Sequence, residues 1–193
     1  MKQNVAILVF DDVEVLDFAG PFEVFAVTDE LQNREVFHTF TFGLHPGTIR
    51  ARNGLKIVPD FTLENCPPPH LLVVPGGQGT RALLKMPALH EWLRVKSRSA
   101  ETVMSVCTGS LVLAAAGLLD GLRATTHHER LDLLRTLAPR TTIVENERFV
   151  DNGKVLTAAG ISAGIDCSLH LVGRLLGPAV ADDTARYMEY RRA

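Results

Sequence analysis

The chain has 193 residues, 46% hydrophobic and 22% charged, with a formal net charge of −2. These totals suit one globular domain spanning residues 1–193 with a sizeable core. The near-neutral charge removes any electrostatic case for nucleic acid or anionic membrane, and three cysteines argue for a reducing, cytoplasmic setting rather than a disulfide framework.

The N-terminal stretch MKQNVAILVFDDVEV has a short apolar run, then acidic residues, and no small-residue cleavage site, so no secretory signal is expected. No apolar run approaches the roughly 18 residues of a membrane span. Residues 4–10 (NVAILVF) are almost wholly apolar, as in a strand covered on both faces. Pro21 is placed to start a helix over residues 20–31, with Phe22, Phe25 and Ala26 on one face. Residues 36–44 (VFHTFTFGL) form a second strand, and Asn53-Gly54 between RAR and LKIV signals a hairpin. Residues 71–74 (LLVV) are another buried strand, ending in Pro75-Gly76-Gly77. Helical stretches follow near residues 80–85 and 87–97. Residues 103–119 (VMSVCTGSLVLAAAGLL) read as a strand, a one-residue corner and a helix. Residues 123–128 (RATTHH) predict a short strand ending in two histidines, before a helix over 129–137. Asn152-Gly153 marks a second hairpin. Ser162 is placed to cap a helix over 163–177 that Gly177-Pro178 ends, and residues 179–192 predict a last helix.

Apolar strands alternating with helices predict a single-domain three-layer α/β sandwich, a mostly parallel sheet with helices on both faces. In such sheets, sites form beyond the carboxyl ends of the strands. Four pieces lie at predicted strand ends: residues 11–17, Gly76-Gly77, Cys107 and His127.

Cys107 is the most informative of these. A corner between strand and helix, with Gly109 two residues on, is the pattern of a nucleophile elbow. A thiol there sits beside the next helix's N-terminus, which favours a thiolate; the alternative is an inert cysteine in an α/β core. Asp17 is either a helix cap or solvated acid, or a carboxyl sharing a proton with the Cys107 sulfur, its pKa raised by burial. Glu14 competes for that role, and Glu23 belongs on the helix surface. Gly76-Gly77 is either a plain turn or the source of a Gly77 N–H that, with the Thr108 N–H, holds developing negative charge. His127 is a base for Cys107 or a structural histidine. Adjacent side chains diverge and no HxxxH or CxxC lies nearby, so His127 and His128 make no metal site. Cys66 and Cys167 are expected to be structural.

Four segments carry a resemblance to a known family: LDFAGPFEVF (16–25), VVPGGQGTRAL (73–83), SVCTGSLVLAAAGLLDGLRATTH (105–127) and AGISAGIDCSLHL (159–171). Over nearly its whole length the chain resembles the ThiJ/PfpI superfamily, and within it the isocyanide hydratases and the ligand domains of AraC-type regulators. The resemblance implies a flavodoxin-like fold akin to class I glutamine amidotransferases. It implies Cys107 as nucleophile and Asp17 as its acid partner, where most members of the superfamily carry glutamate. It implies Gly77 and Thr108 as backbone donors, and a pocket that includes His127, His128 and Ile161. Thr108 stands where the protease-like branch has histidine, which argues against proteolysis. His128 stands where an aromatic residue usually follows TTH. The regulators' C-terminal helix-turn-helix has no counterpart before Ala193. The expected function is hydration of an isocyanide by a homodimer, with a small-molecule substrate and neither metal nor organic cofactor. Two rivals are another cysteine enzyme, such as an amidase or glyoxalase-like hydrolase, and a non-enzymatic ligand or oxidative-stress sensor.

Overall fold

A computed structural model describes residues 2–192. Its centre is a seven-stranded sheet. In chain order the strands are β1 (Gln3–Val9), β2 (Phe37–Gly43), β3 (Ile49–Arg50), β4 (Lys56–Ile57), β5 (Phe61–Thr62), β6 (Leu71–Val74), β7 (Thr102–Val106), β8 (Arg123–Ala124), β9 (Thr142–Ile143), β10 (Phe149–Asp151) and β11 (Val155–Ala158). The main sheet runs β10-β11-β7-β6-β1-β2-β5. It is parallel throughout except for the β10–β11 hairpin. Residues Val5 to Val9 of β1 and Leu72 to Val74 of β6 have no exposed surface, as strands covered on both faces require.

The helices are α1 (Val15–Leu31), α2 (Thr80–Leu83), α3 (Pro87–Ser99), α4 (Gly109–Ala115), α5 (Leu131–Leu137), α6 (Ala163–Leu176) and α7 (Pro178–Tyr187). α1, α6 and α7 pack together on one face of the sheet, and α4 gathers α2, α3 and α5 on the other. The three-layer α/β sandwich read from the sequence is the observed fold. No helix among the described residues is long and apolar enough to cross a membrane.

Four local expectations need correction. Pro21 does not start the first helix but lies inside it, since α1 begins at Val15. Proline forfeits only the hydrogen bond to the Asp17 carbonyl, and burial of Phe18, Val24 and Phe25 on the same helix outweighs that loss. The strand predicted over 123–128 stops at Ala124. It pairs with β9 in a separate two-stranded sheet, because Thr125 N–H turns to the Thr157 hydroxyl (2.9 Å) and a 3-10 turn begins at His128. Ser162 holds the N-cap position of α6, but its hydroxyl accepts from Arg148 (3.1 Å) instead of capping. The last helix ends at Tyr187, where the chain reverses through a left-handed Glu189 (φ 50°) and lets the Tyr190 hydroxyl reach Asp166 (3.0 Å). Both hairpins stand as predicted, β3–β4 around Asn53-Gly54 and β10–β11 around Asn152-Gly153.

Candidate active site

Four adjacent parallel strands, β11, β7, β6 and β1, end on one side of the sheet, and the segments that leave them meet. β7 runs into Cys107, β6 into Gly76 and Gly77, β1 into the bend that leads to Asp17 in the first turn of α1, and β11 into Ile161. The strand ends expected at residues 11–17, Gly76-Gly77 and Cys107 are therefore neighbours. His127 is not a fourth end of the main sheet, because β8 lies outside it. Ile161 holds that place.

Cys107 is left-handed (φ 54°), a conformation rare for any residue but glycine. The corner is held from several directions. Its N–H reaches the carbonyls of Ala158 (3.1 Å) and Ala159 (2.9 Å), and its carbonyl accepts the hydroxyls of Thr126 (2.9 Å) and Ser110 (3.2 Å). Surroundings that over-determine a residue in this way keep a strained backbone in place. Gly109 lets α4 start directly against the end of β6, since a Cβ there would lie 1.9 Å from the Val74 carbonyl oxygen. The result is the sharp strand-to-helix turn of a nucleophile elbow.

The Cys107 side chain lines a cavity of about 250 Å³, together with Gly77, Thr108, His127 and Ile161. Behind it lies Asp17, with no exposed surface. Asp17 Oδ2 accepts the Gly76 N–H (3.0 Å), while Oδ1 is buried without a hydrogen bond of ordinary geometry. Only glycine fits at position 76: a Cβ would fall 2.5 Å from Thr108 N and 2.9 Å from Asp17 Oδ2.

Burial pushes the Asp17 carboxyl up to about 7, and the charge of Glu14 adds to the rise; the Gly76 N–H and, more weakly, the Cys107 thiol oppose it. Burial also raises the Cys107 thiol, and a charged Asp17 raises it further, against the Thr108 and Ile161 N–H groups and the Thr108 hydroxyl. The expectation of a resting thiolate is thereby corrected. The local amides favour the anion, but burial beside a carboxylate outweighs them. Near neutral pH the two groups hold at least one proton between them, so carboxyl and sulfur do not both carry charge.

Thr108 contributes the hydroxyl as well as the amide. The Gly77 N–H, expected to be free for a ligand, is donated to Thr108 Oγ1 (3.0 Å). The Thr80 hydroxyl bonds the Gly77 carbonyl (2.7 Å) and Thr108 Oγ1 (3.3 Å), which completes a small knot at the cavity wall. The amides that face the sulfur are those of Thr108 and Ile161. Ile161 was expected only as a pocket residue; its amide carries no signal in the sequence because its orientation depends on a left-handed φ of 46°.

His127 lines the cavity, and its ring packs on Gly160, but it makes no hydrogen bond to the thiol among the described residues. Its Nδ1 accepts the Glu129 N–H (3.3 Å), and burial together with His128 lowers its pKa. His128 stacks on His127 (ring centroids 4.4 Å apart), is exposed and is not part of the cavity wall. The pocket position expected for His128 is therefore corrected. Among the described residues no group of three His, Cys, Asp or Glu side chains is arranged to hold a metal ion. Cys66 and Cys167 are buried away from the cavity.

Several residues of the site escaped sequence reasoning. Thr126 lies in a segment read as strand, and its service to the Cys107 carbonyl depends on the chain leaving that conformation. Arg52, Arg81 and Arg130 line the cavity from a hairpin, a short helix and a turn that nothing in the sequence brings together. Arg52 pairs with Glu14 (2.7 Å) at its rim.

A family model described as the DJ-1/PfpI family matches residues 3–174. The isonitrile hydratase of Pseudomonas putida is 39% identical over 193 residues, 100% of this chain and 81% of that protein. The HTH-type transcriptional regulator CdhR of Pseudomonas aeruginosa is 34% identical over 182 residues, 94% of this chain; the chain spans 53% of that regulator's length. Among solved structures, a ThiJ/PfpI family protein from Pseudomonas syringae superposes with a TM-score of 0.88 at 29% identity, covering 100% of this chain and 77% of that one. By sequence and by fold, the chain belongs to the DJ-1/PfpI family.

Proposed function

We propose that this chain is a cysteine-dependent hydratase of the isonitrile hydratase type, converting R–N≡C and water into the N-substituted formamide R–NH–CHO. The observation that carries this reading is the coupling of one fully buried carboxyl, Asp17, to a cavity-lining thiol, Cys107, with no imidazole bonded to the sulfur among the described residues. Similarity to the Pseudomonas putida isonitrile hydratase along the full chain supports the choice of reaction.

In this reading the sulfur attacks the terminal carbon of the isonitrile as Asp17 passes the pair's proton to that carbon, giving the thioimidate R–N=CH–S–Cys107. Asp17, now charged, takes a proton from water as the water adds to the thioimidate carbon and hands that proton to the nitrogen, becoming charged again. Collapse of the R–NH–CH(OH)–S adduct breaks the C–S bond, releases the formamide and returns the proton to the pair. The balance is one R–N≡C and one water in, one formamide out, with no net redox change. The Thr108 and Ile161 amides stabilise negative charge on sulfur at each stage. Neither metal nor organic cofactor is required. The reading includes a homodimer, tested by sedimentation.

Turnover of cyclohexyl isocyanide, followed as N-cyclohexylformamide, tests the proposal. Wild-type turnover that disappears in Cys107→Ala supports it. Absence of turnover in wild type, with Cys107 still readily oxidised, favours the second reading, a ligand or redox sensor, which the similarity to transcriptional regulators supports.

A further inference from the structure

The cavity wall has a repeated polar-then-apolar arrangement. Arg81 of α2 and Leu84 at its C-cap face the cavity, as do Arg130 at the N-cap of α5 with Leu133 in its first turn, and Thr108 at the N-cap of α4 with Leu111 in its first turn. Residues three apart on a helix share a face, so each element offers one polar group and one leucine to the same space. Of the cavity's three arginines, Arg52 is neutralised by Glu14 (2.7 Å). Arg81 and Arg130 have no carboxylate within ion-pair distance among the described residues, and Arg130 has only a 3.3 Å bond to a backbone carbonyl. One further carboxylate, Glu129, lines the wall, so three arginines face two glutamates and the lining carries a net +1. That excess stands in a chain whose formal charge is −2.

We propose that the cavity takes a small organic carboxylate: an apolar body against Leu84, Leu111 and Leu133, and an anionic group received by the Arg81 and Arg130 guanidiniums. This deepens the hydratase reading and rests on it for the reacting group, making the substrate class an isocyanide that also bears a carboxylate. Guanidinium planes match carboxylates and lose little by partial burial, whereas two unpaired cations on a pocket wall contribute nothing to a neutral alkyl isocyanide. Glu129 is a repulsive element that the ligand must tolerate, and its removal should strengthen binding.

The test uses two measurements on the intact protein. The first compares kcat/KM for potassium isocyanoacetate with that for methyl isocyanoacetate, its neutral ester. The second measures binding of N-formylleucine and its methyl ester by calorimetry, which needs no turnover. The acid should be preferred in each by roughly tenfold or more at low ionic strength, as charge-assisted hydrogen bonds imply. The preference should vanish in Arg81→Gln/Arg130→Gln, persist in part in Arg130→Lys, and rise in Glu129→Gln. If no isocyanide is turned over but N-formylleucine binds in an arginine-dependent way, the carboxylate site stands and the hydratase reading fails. Equal treatment of acid and ester in both measurements, or an acid preference untouched by the double substitution, overturns the proposal even if isocyanides are hydrated.

Discussion

The Ile161 amide is aimed at the Cys107 sulfur from a left-handed backbone (φ 46°), and Cys107 is itself left-handed (φ 54°). For a β-branched residue that conformation is an outlier which carries a steric cost of about 1–2 kcal/mol. The structure thus places strain on both sides of the reacting atom, and the two strained residues are joined through the sulfur. The usual order of substitutions should invert here. Ile161→Gly should be more stable than Ile161→Ala by about 1 kcal/mol in urea unfolding, because alanine keeps the strain and glycine removes it. Both variants retain the N–H, so alkylation of Cys107 should be little changed in either. A less stable glycine variant would mean that the strain is not real.

Deleting the Asp17 charge should make Cys107 easier to ionise. A negative neighbour raises the thiol, so Asp17→Asn removes that contribution and leaves the Thr108 and Ile161 amides acting on the sulfur. The pH profile of iodoacetamide modification should move to lower pH in Asp17→Asn, while turnover of an isocyanide falls by roughly 10²-fold or more through loss of the proton carrier. Greater thiol reactivity with less catalysis is the expected signature. An unmoved alkylation profile would show that carboxyl and thiol do not interact. In the wild type, limiting iodoacetamide should label Cys107 before Cys66 or Cys167, since only Cys107 lines the cavity.

The same carboxyl has a consequence for stability. Its folded pKa of about 7 lies above the ordinary 3.8, so the folded protein binds this proton more tightly than the unfolded chain does. That contribution is fully present below pH 3.8 and is lost as pH rises through about 7. The separation is worth about 4 kcal/mol at 1.36 kcal/mol per pH unit. The unfolding free energy of wild type minus that of Asp17→Asn should therefore fall by about that amount between pH 4 and pH 8. A flat difference would place the carboxyl in a more solvated setting.

The sheet was legible because β1 and β6 are fully apolar runs, and because the glycine after Cys107 marks a sharp corner whatever surrounds it. The Cys107 and Asp17 pairing came from the family resemblance and from the order of strand ends, which local sequence already suggests. What stayed hidden depends on long-range geometry. Pro21 reads as a helix start because its own chemistry fits one, and only burial of Phe18 on the same helix shows otherwise. The Gly77 amide reads as free because the Thr108 hydroxyl that takes it is 31 residues away in the chain. His128 was expected in the pocket from the family resemblance, and only the fold shows its ring exposed and stacked on His127, away from the cavity wall.

Gly76 should tolerate no side chain. The Thr108 backbone nitrogen stands 2.5 Å from where its Cβ would be, and backbone cannot step aside as a flexible side chain would. Gly76→Ala should lower stability by about 1–3 kcal/mol, as overpacking does, and reduce turnover more than stability alone explains, because the displaced groups are Thr108 and Asp17. Wild-type kinetics in Gly76→Ala would remove both residues from the chemistry.

The choice between hydratase and peptidase rests on His127. Peptide cleavage by a thiol needs an imidazole within hydrogen-bond reach of sulfur, both to take its proton and to return one to a poor amine leaving group. His127 lines the cavity, but its Nδ1 is bonded to the Glu129 amide and it makes no hydrogen bond to the sulfur among the described residues, while burial together with His128 lowers its pKa. Isocyanide addition expels no leaving group in its first step, so a carboxyl suffices as proton carrier. His127→Ala and His128→Ala should each lower isocyanide turnover less than tenfold, and wild type should not cleave casein or peptide amides measurably. Peptide hydrolysis abolished by His127→Ala would require the imidazole to swing onto the sulfur, and would replace the carboxyl–thiol pair with a Cys–His pair as the working unit of this site.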